Sequence, residues 1–287
     1  MTPTLAQPHL PRAGTTPRGV DRCARARDWA EIQERMLVPL YEAVYERLEV
    51  GSGTRLLGLG CGSGLALLMA ASRGASVTGV DPSSPERLAL ARERLLPDTS
   101  PDARPHGDTR LMEGGPDDVS GPDAPAFNMV TAFQPIGCMA GDSEGLSGLL
   151  EATVPLTGSG TPVVLAGWGP PERCTTSSVL RVATKLADPL RNTGSWRPAL
   201  RDDLEEVAQR AGLKPDGSGR VACPFGYADT DSAVRGLLST GLFDAAVGAT
   251  DQVQVDKELT EALHPHKRRD GTVWMPNVFR YLIARTR

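Results

Sequence analysis

Apolar residues recur at three- and four-residue steps through Trp29, Ile32, Met36, Leu37, Leu40, Val44 and Leu48. This is the spacing of one stripe along an amphipathic helix, and it predicts a continuous helix over about 27–48. Gly51, Ser52 and Gly53 end it. Beyond them, short apolar runs alternate with longer periodic segments. Strands are predicted at 55–59, 76–80, 109–112, 129–133, 161–166, 219–223 and 277–284. Helices are predicted from 65 onward and at 85–95, 144–156, 176–190 and 201–211, and across 232–263 with breaks at Gly241 and Gly248. Runs such as TPVVLA and NVFRYLIA are too apolar to face water on either side. They predict an α/β, Rossmann-like fold, a mostly parallel sheet with helices on both faces and a helical cover. Residues 1–20 mix Pro, Thr, Gly and Arg without a period and predict a flexible tail.

Composition narrows the functions open to such a fold. The 287 residues carry 31 Lys plus Arg against 35 Asp plus Glu, a formal charge of −4, which argues against nucleic acid as a partner. No apolar stretch approaches the roughly 20 residues of a membrane span, and the N-terminus lacks a signal-peptide core, so no membrane partner is expected. The five cysteines are odd in number and lack metal or CxxC spacing. A reduced, cytoplasmic location is therefore expected.

The chemistry concentrates after the first strand, where Gly60-Cys61-Gly62-Ser63-Gly64 opens a helix. Glycines let ligand approach backbone closely, and a helix N-terminus offers unpaired N–H groups. A tight strand-to-helix turn needs glycine for its own geometry as well. Asp81 sharpens the pattern: it lies 17 residues beyond Gly64, at the end of VTGVD, where a carboxylate can accept both hydroxyls of a ribose. Its competing reading is a helix cap, but Ser84 followed by Pro85 already supplies one.

The motifs LLGLGCGSG, VTGVD, WGPPERC and NVFRYLIA together resemble the class I S-adenosylmethionine-dependent methyltransferases, in particular small-molecule enzymes of actinobacterial type. The resemblance implies a seven-stranded sheet with its last strand antiparallel, a single domain over 21–287, and lid or substrate-cover elements within 171–265. It also implies S-adenosylmethionine as cofactor. Gly60, Cys61, Gly62 and Gly64 would form its loop, Asp81 would hold the ribose, Pro82 and Ser83 would lie beside adenine, and Gln134 would orient it. The partner would be a small-molecule acceptor of specialised metabolism, such as antibiotic biosynthesis. The loop reads GxGxG and not GxGxxG, which disfavours a dinucleotide.

Three positions depart from the family's pattern. Gly58 stands where an acid helps hold the methionine end, Gly115 where an acid meets the adenine amino group (Asp117 or Asp118 would serve after a short shift), and Asn128 where a third acid is usual. Two outcomes are open: weakened cofactor binding with methyl transfer retained, or loss of cofactor-dependent methylation. In the second case the fold would serve a cyclisation, rearrangement or elimination, or a non-catalytic binding role.

Acceptor-pocket candidates are Tyr41, with Tyr45 four residues on, Gln134 and Trp168; packing is the alternative role for each. No general base stands out. Cys61 reads as a packing residue. His9 and His106 fall in polar tail and loop, and His264 and His266 flank Pro265 before Lys267, Arg268 and Arg269, a pattern that favours a surface turn over the alternative of a metal pair.

Overall fold

The structure, a computed structural model, describes residues 21–96, 108–119, 125–138, 142–187 and 203–287. The expected tail, His9, His106 and the helix ends at 188–190 and 201–202 lie outside the described residues. The main strands are β1 (Arg55–Leu59), β2 (Ser76–Val80), β3 (Thr109–Met112), β4 (Met129–Ile136), β5 (Pro162–Trp168) and β6 (Lys214–Ala222). A hairpin of β7 (Phe225–Tyr227) and β8 (Val273–Met275) follows, and β9 (Val278–Arg285) closes the chain. The sheet is seven-stranded, in the order β3-β2-β1-β4-β5-β9-β6. β9 lies antiparallel between β5 and β6, and the remaining pairings are parallel.

Helices α1 (Arg22–Asp28) and α2 (Val38–Arg47) precede the sheet, and α3 (Leu65–Ser72) and α4 (Pro85–Leu95) follow β1 and β2. Helices α5 (Leu146–Thr153), α6 (Thr176–Ala187) and α7 (Asp203–Arg210) come next. The last three are α8 (Thr230–Ser239), α9 (Asp244–Ala249) and α10 (Gln252–Leu263). Successive side chains of a strand point to opposite faces, so each central strand feeds two cores. Leu56 and Val164 pack with Leu40 of α2, Leu67 of α3 and Leu237 of α8. Leu57 and Leu165 pack on the other face with Leu150 of α5 and Val207 of α7.

From β1 the chain winds outward to β2 and β3, then returns to β4 on β1's other side. The crossovers on either side of that point diverge and leave a crevice at the strands' carboxyl ends, where the glycine loop lies.

Two expectations are corrected, and one hairpin is added. The segment 27–48 is not one helix: α1 ends at Asp28, a π-helical turn covers Trp29–Gln33 and a 3-10 turn covers Glu34–Leu37 before α2 begins. Gly248 lies inside α9; the break falls at Thr250 and Asp251, where the Asp251 carboxylate accepts the Gln254 N–H and caps α10. The three-residue strands β7 and β8 are too short to show a period, and they escaped the sequence reading.

Candidate functional site

β1 delivers the chain into a loop whose Gly60 and Gly62 have φ of +60° and +57°, a region that L side chains rarely occupy. The Cys61 N–H donates to the Val80 carbonyl at 3.1 Å and ties the loop to the end of β2. Asp81 follows directly. It is 2% exposed; one carboxylate oxygen accepts the Gly62 N–H at 2.9 Å, and the other accepts the Ser83 N–H and hydroxyl at 2.8 and 2.6 Å. The adjoining cleft, lined by Trp29, Glu34, Tyr41, Phe133 and Gln134 as well as the loop and Asp81, is small, with a cavity volume of about 60 Å³.

The irregular segment ahead of α2 forms one wall. In its π turn the Glu34 N–H bonds to the Trp29 carbonyl, an i to i+5 contact that sets both side chains over the glycine loop. A Cβ on Gly62 would stand 3.3 Å from Trp29 Nε1 and 3.5 Å from Glu34 Oε1. Glu34 is 3% exposed. Its carboxylate accepts the Ser63 hydroxyl, the Arg94 Nη1 at 2.7 Å and the Leu65 N–H at 3.4 Å. Arg94 also donates to the Ser63 carbonyl and, through Nη2, to the Ala30 carbonyl, so one guanidinium joins the N-terminal segment, the loop and α4. Across the indole of Trp29 lies the Arg87 guanidinium, 4.3 Å from the ring centroid.

The expected residues divide. Gly60, Cys61, Gly62, Asp81, Ser83, Gln134 and Tyr41 all line the cleft, with Gly58 at its floor. Gly64 serves packing instead: a Cβ there would meet the Ala91 Cβ at 2.9 Å, so the glycine lets α4 approach α3. Pro82 is exposed beside Ser83 and outside the lining. Trp168 stacks among Phe225 and Phe279 at ring separations of 5.9 and 4.6 Å, and it does not reach the cleft. Tyr45 is core, its hydroxyl donating to the Ala66 carbonyl.

The three departures from the family pattern also part company. Gly58 belongs to the cleft, and a Cβ there would meet Leu67 Cδ2 at 2.9 Å, so leucine fills the room of a larger residue. Asp118 accepts the Gly115 N–H at 2.9 Å, and neither Asp117 nor Asp118 lines the cleft. Asn128 bonds to Arg55 and Gly53 at the amino end of the sheet, the edge opposite the loop, and has no part in the site.

Burial pushes the Cys61 thiol up to about 12, with the Asp81 and Glu34 charges adding to the effect. A thiol so protonated is a packing group and not a nucleophile. Burial, then the Glu34 charge, raises the Tyr41 hydroxyl well above the ordinary phenol value, and its ring tilts against Phe133 at 4.8 Å. His264 and His266 fall in a 3-10 turn after α10. Among the described residues no three His, Cys, Asp or Glu side chains converge as a metal site. Glu34, Trp29, Arg87 and Arg94 escaped the sequence reading as site residues. One signal was available: Glu34 stands three and seven residues before Leu37 and Tyr41, a carboxylate in line with the buried face.

Strand order, antiparallel β9 and the loop at the switch point define the class I S-adenosylmethionine-dependent methyltransferase fold. No family model and no curated protein matches the chain. Among solved structures, the YcgJ protein of Bacillus subtilis superposes with a TM-score of 0.52 at 14% identity, over 86% of this chain and 97% of that one. A methyltransferase of Thiobacillus denitrificans, solved with S-adenosylhomocysteine, gives 0.51 at 17% identity over 94% and 99%. One from Geobacter sulfurreducens, with the same ligand, gives 0.51 at 17% over 93% and 99%.

Proposed function

We propose that the cleft binds S-adenosylmethionine and that the protein transfers its methyl group to a small, partly apolar acceptor of specialised metabolism, antibiotic biosynthesis among the settings. The observation that carries this reading is the place of Glu34. A glycine loop leading into a helix N-terminus ordinarily receives phosphate, because the N–H groups and the helix dipole favour an anion. Here the chain's own carboxylate reaches the Leu65 N–H and the Ser63 hydroxyl at the start of α3. A dinucleotide's pyrophosphate would meet that charge. A ligand with a sulfonium and an ammonium group suits it.

The residues present fit such a group. Asp81 uses three of about four acceptor sites on the Gly62 N–H and on the N–H and hydroxyl of Ser83, which leaves one for a single ribose hydroxyl and not for both. A side chain at Gly62 would press against Trp29 Nε1 and Glu34 Oε1, so glycine lets the loop pack closely beneath them. The cofactor, when bound, supplies an electrophilic methyl. The chain's share is placement and exclusion of water, which can carry most of a displacement's acceleration. Leu37, Tyr41 and Phe133 offer the apolar wall for an acceptor, and Gln134 one polar contact beside Gly60.

The filled space behind Gly58 favours a second reading, an enzyme of this fold that catalyses a cyclisation, rearrangement or elimination without methylating. Calorimetric titration with S-adenosylmethionine and S-adenosylhomocysteine separates the two. Micromolar binding supports the first; no heat at millimolar ligand overturns it.

A further inference from the structure

We infer that the hydroxyls of Tyr41 and Thr131 form a hydrogen-bonding subsite in the cleft for a neutral oxygen, the carbonyl of a small, mostly apolar ketone. This names a substrate class for the same cleft. It rests on the acceptor reading proposed above, in its methylating or its non-methylating form, and makes no use of the cofactor. Tyr41 is 4% exposed and Thr131 2%, and both line the cleft. Among the described residues neither hydroxyl has a hydrogen-bond partner. Their neighbours differ. The Tyr45 hydroxyl donates to the Ala66 carbonyl, that of Tyr227 to Gln33, that of Ser83 to Asp81 and that of Thr240 to the Leu237 carbonyl. Buried polar groups are nearly always paired, so two that stay bare in one cleft mark the place of a ligand.

The strand and the helix bring the two residues to one wall. Thr131 and Phe133 stand two apart on β4 and so share a face of the sheet. The Tyr41 ring, from α2, packs on Phe133 at 4.8 Å. Thr131 is opposite Gly58 in the β1–β4 pairing, its Oγ1 3.8 Å from the position of a Cβ there, so the glycine leaves the hydroxyl uncovered. Burial, and after it the Glu34 charge, hold the Tyr41 phenol in its protonated form, which makes it a donor. An anion does not suit the place, because the Glu34 and Asp81 carboxylates line the same cleft. A carbonyl oxygen carries two lone pairs and can accept from both hydroxyls. Leu37, Leu67 and Phe133 supply the apolar surroundings for its carbon neighbours, and the small cavity admits that end of a ligand.

Two probes and two variants decide the matter. Tyr41→Phe and Thr131→Val each remove a hydroxyl and keep the shape of the side chain. Cyclopentanone and methylenecyclopentane, which differ only in a carbonyl oxygen against a CH₂ group, are titrated into the three folded proteins and followed by NMR. Weakening of the ketone by about fivefold in each variant, with the hydrocarbon unchanged and the urea midpoint not lowered, supports the inference. A lowered urea midpoint in either variant overturns it, because the hydroxyl then serves the protein and not a ligand. Equal weakening of ketone and hydrocarbon overturns it, since the cleft then reads shape alone. An effect in one variant only, or in neither, overturns the paired subsite, as does a wild type that fails to bind cyclopentanone at tens of millimolar. None of these titrations contains a nucleoside. Failure of S-adenosylhomocysteine to bind therefore overturns the cofactor alone, and failure of the ketone overturns this subsite alone.

Discussion

The carboxylate of Glu34 accepts the hydroxyl hydrogen bond of Ser63, joining a turn that precedes the sheet to the middle of the glycine loop. Twenty-nine positions separate the two residues. With Arg94 they form a buried cluster in which each member satisfies the others, and loss of one partner strands the rest.

Glu34→Gln should therefore lower the unfolding free energy by about 2 kcal/mol, and a cycle with Arg94→Met should show a coupling of about 1 kcal/mol or more. Urea denaturation of the four proteins measures both. Additive losses would mean that the two side chains act independently.

Asp81→Asn removes a charge and puts an N–H₂ where acceptors are needed. Since Gly62 and Ser83 both donate to the carboxylate, the substitution should cost about 1–3 kcal/mol and abolish S-adenosylhomocysteine binding. Denaturation and calorimetry on the same sample read the two effects, and retained affinity would remove Asp81 from the site.

Gly58→Asp should not restore an acid to the cleft. Its Cβ would meet Leu67 Cδ2 at 2.9 Å, so the single variant should lose about 1–3 kcal/mol by overpacking. The double variant Gly58→Asp with Leu67→Ala removes the clash. Ligand affinity in the double variant above that of Leu67→Ala alone is the expected result, read by calorimetry.

Two glycines give opposite results when changed to alanine. Gly64→Ala places a Cβ 2.9 Å from that of Ala91 in a residue at φ +79°, and should cost more than about 2 kcal/mol. Gly148, inside α5 with nothing within 4 Å of an added Cβ, should gain about 0.5–1 kcal/mol. Thermal melts of the pair make the comparison.

Stability should fall on the alkaline side. Burial raises the thiols of Cys61 and Cys223 from an ordinary 9.0 to about 12 in the folded state. Above the ordinary value the unfolded chain releases those protons while the folded one keeps them, so ΔG of unfolding declines as pH rises from about 9 to 12. Cys61→Ala should make the decline shallower, measured by urea midpoints across that range.

The sequence by itself determined the sheet and the place of the site. Apolar runs such as VVLA and YLIA admit only strands covered on both faces, and a glycine loop ahead of a helix sits at a strand end whatever surrounds it. Asp81 was legible for the same reason, since its position at the end of β2 is a local fact. Tertiary structure decided what walls the cleft. A stripe with a helical period predicts a straight helix, and it cannot show that a π turn aligns Trp29 with Glu34 at a separation of five residues. Nor can local pattern show that Leu67 fills the room behind Gly58, that Gly64 yields to Ala91, or that Trp168 turns toward Phe279. Each of these depends on contact between elements brought together only when helices pack on the sheet, and no local propensity encodes it.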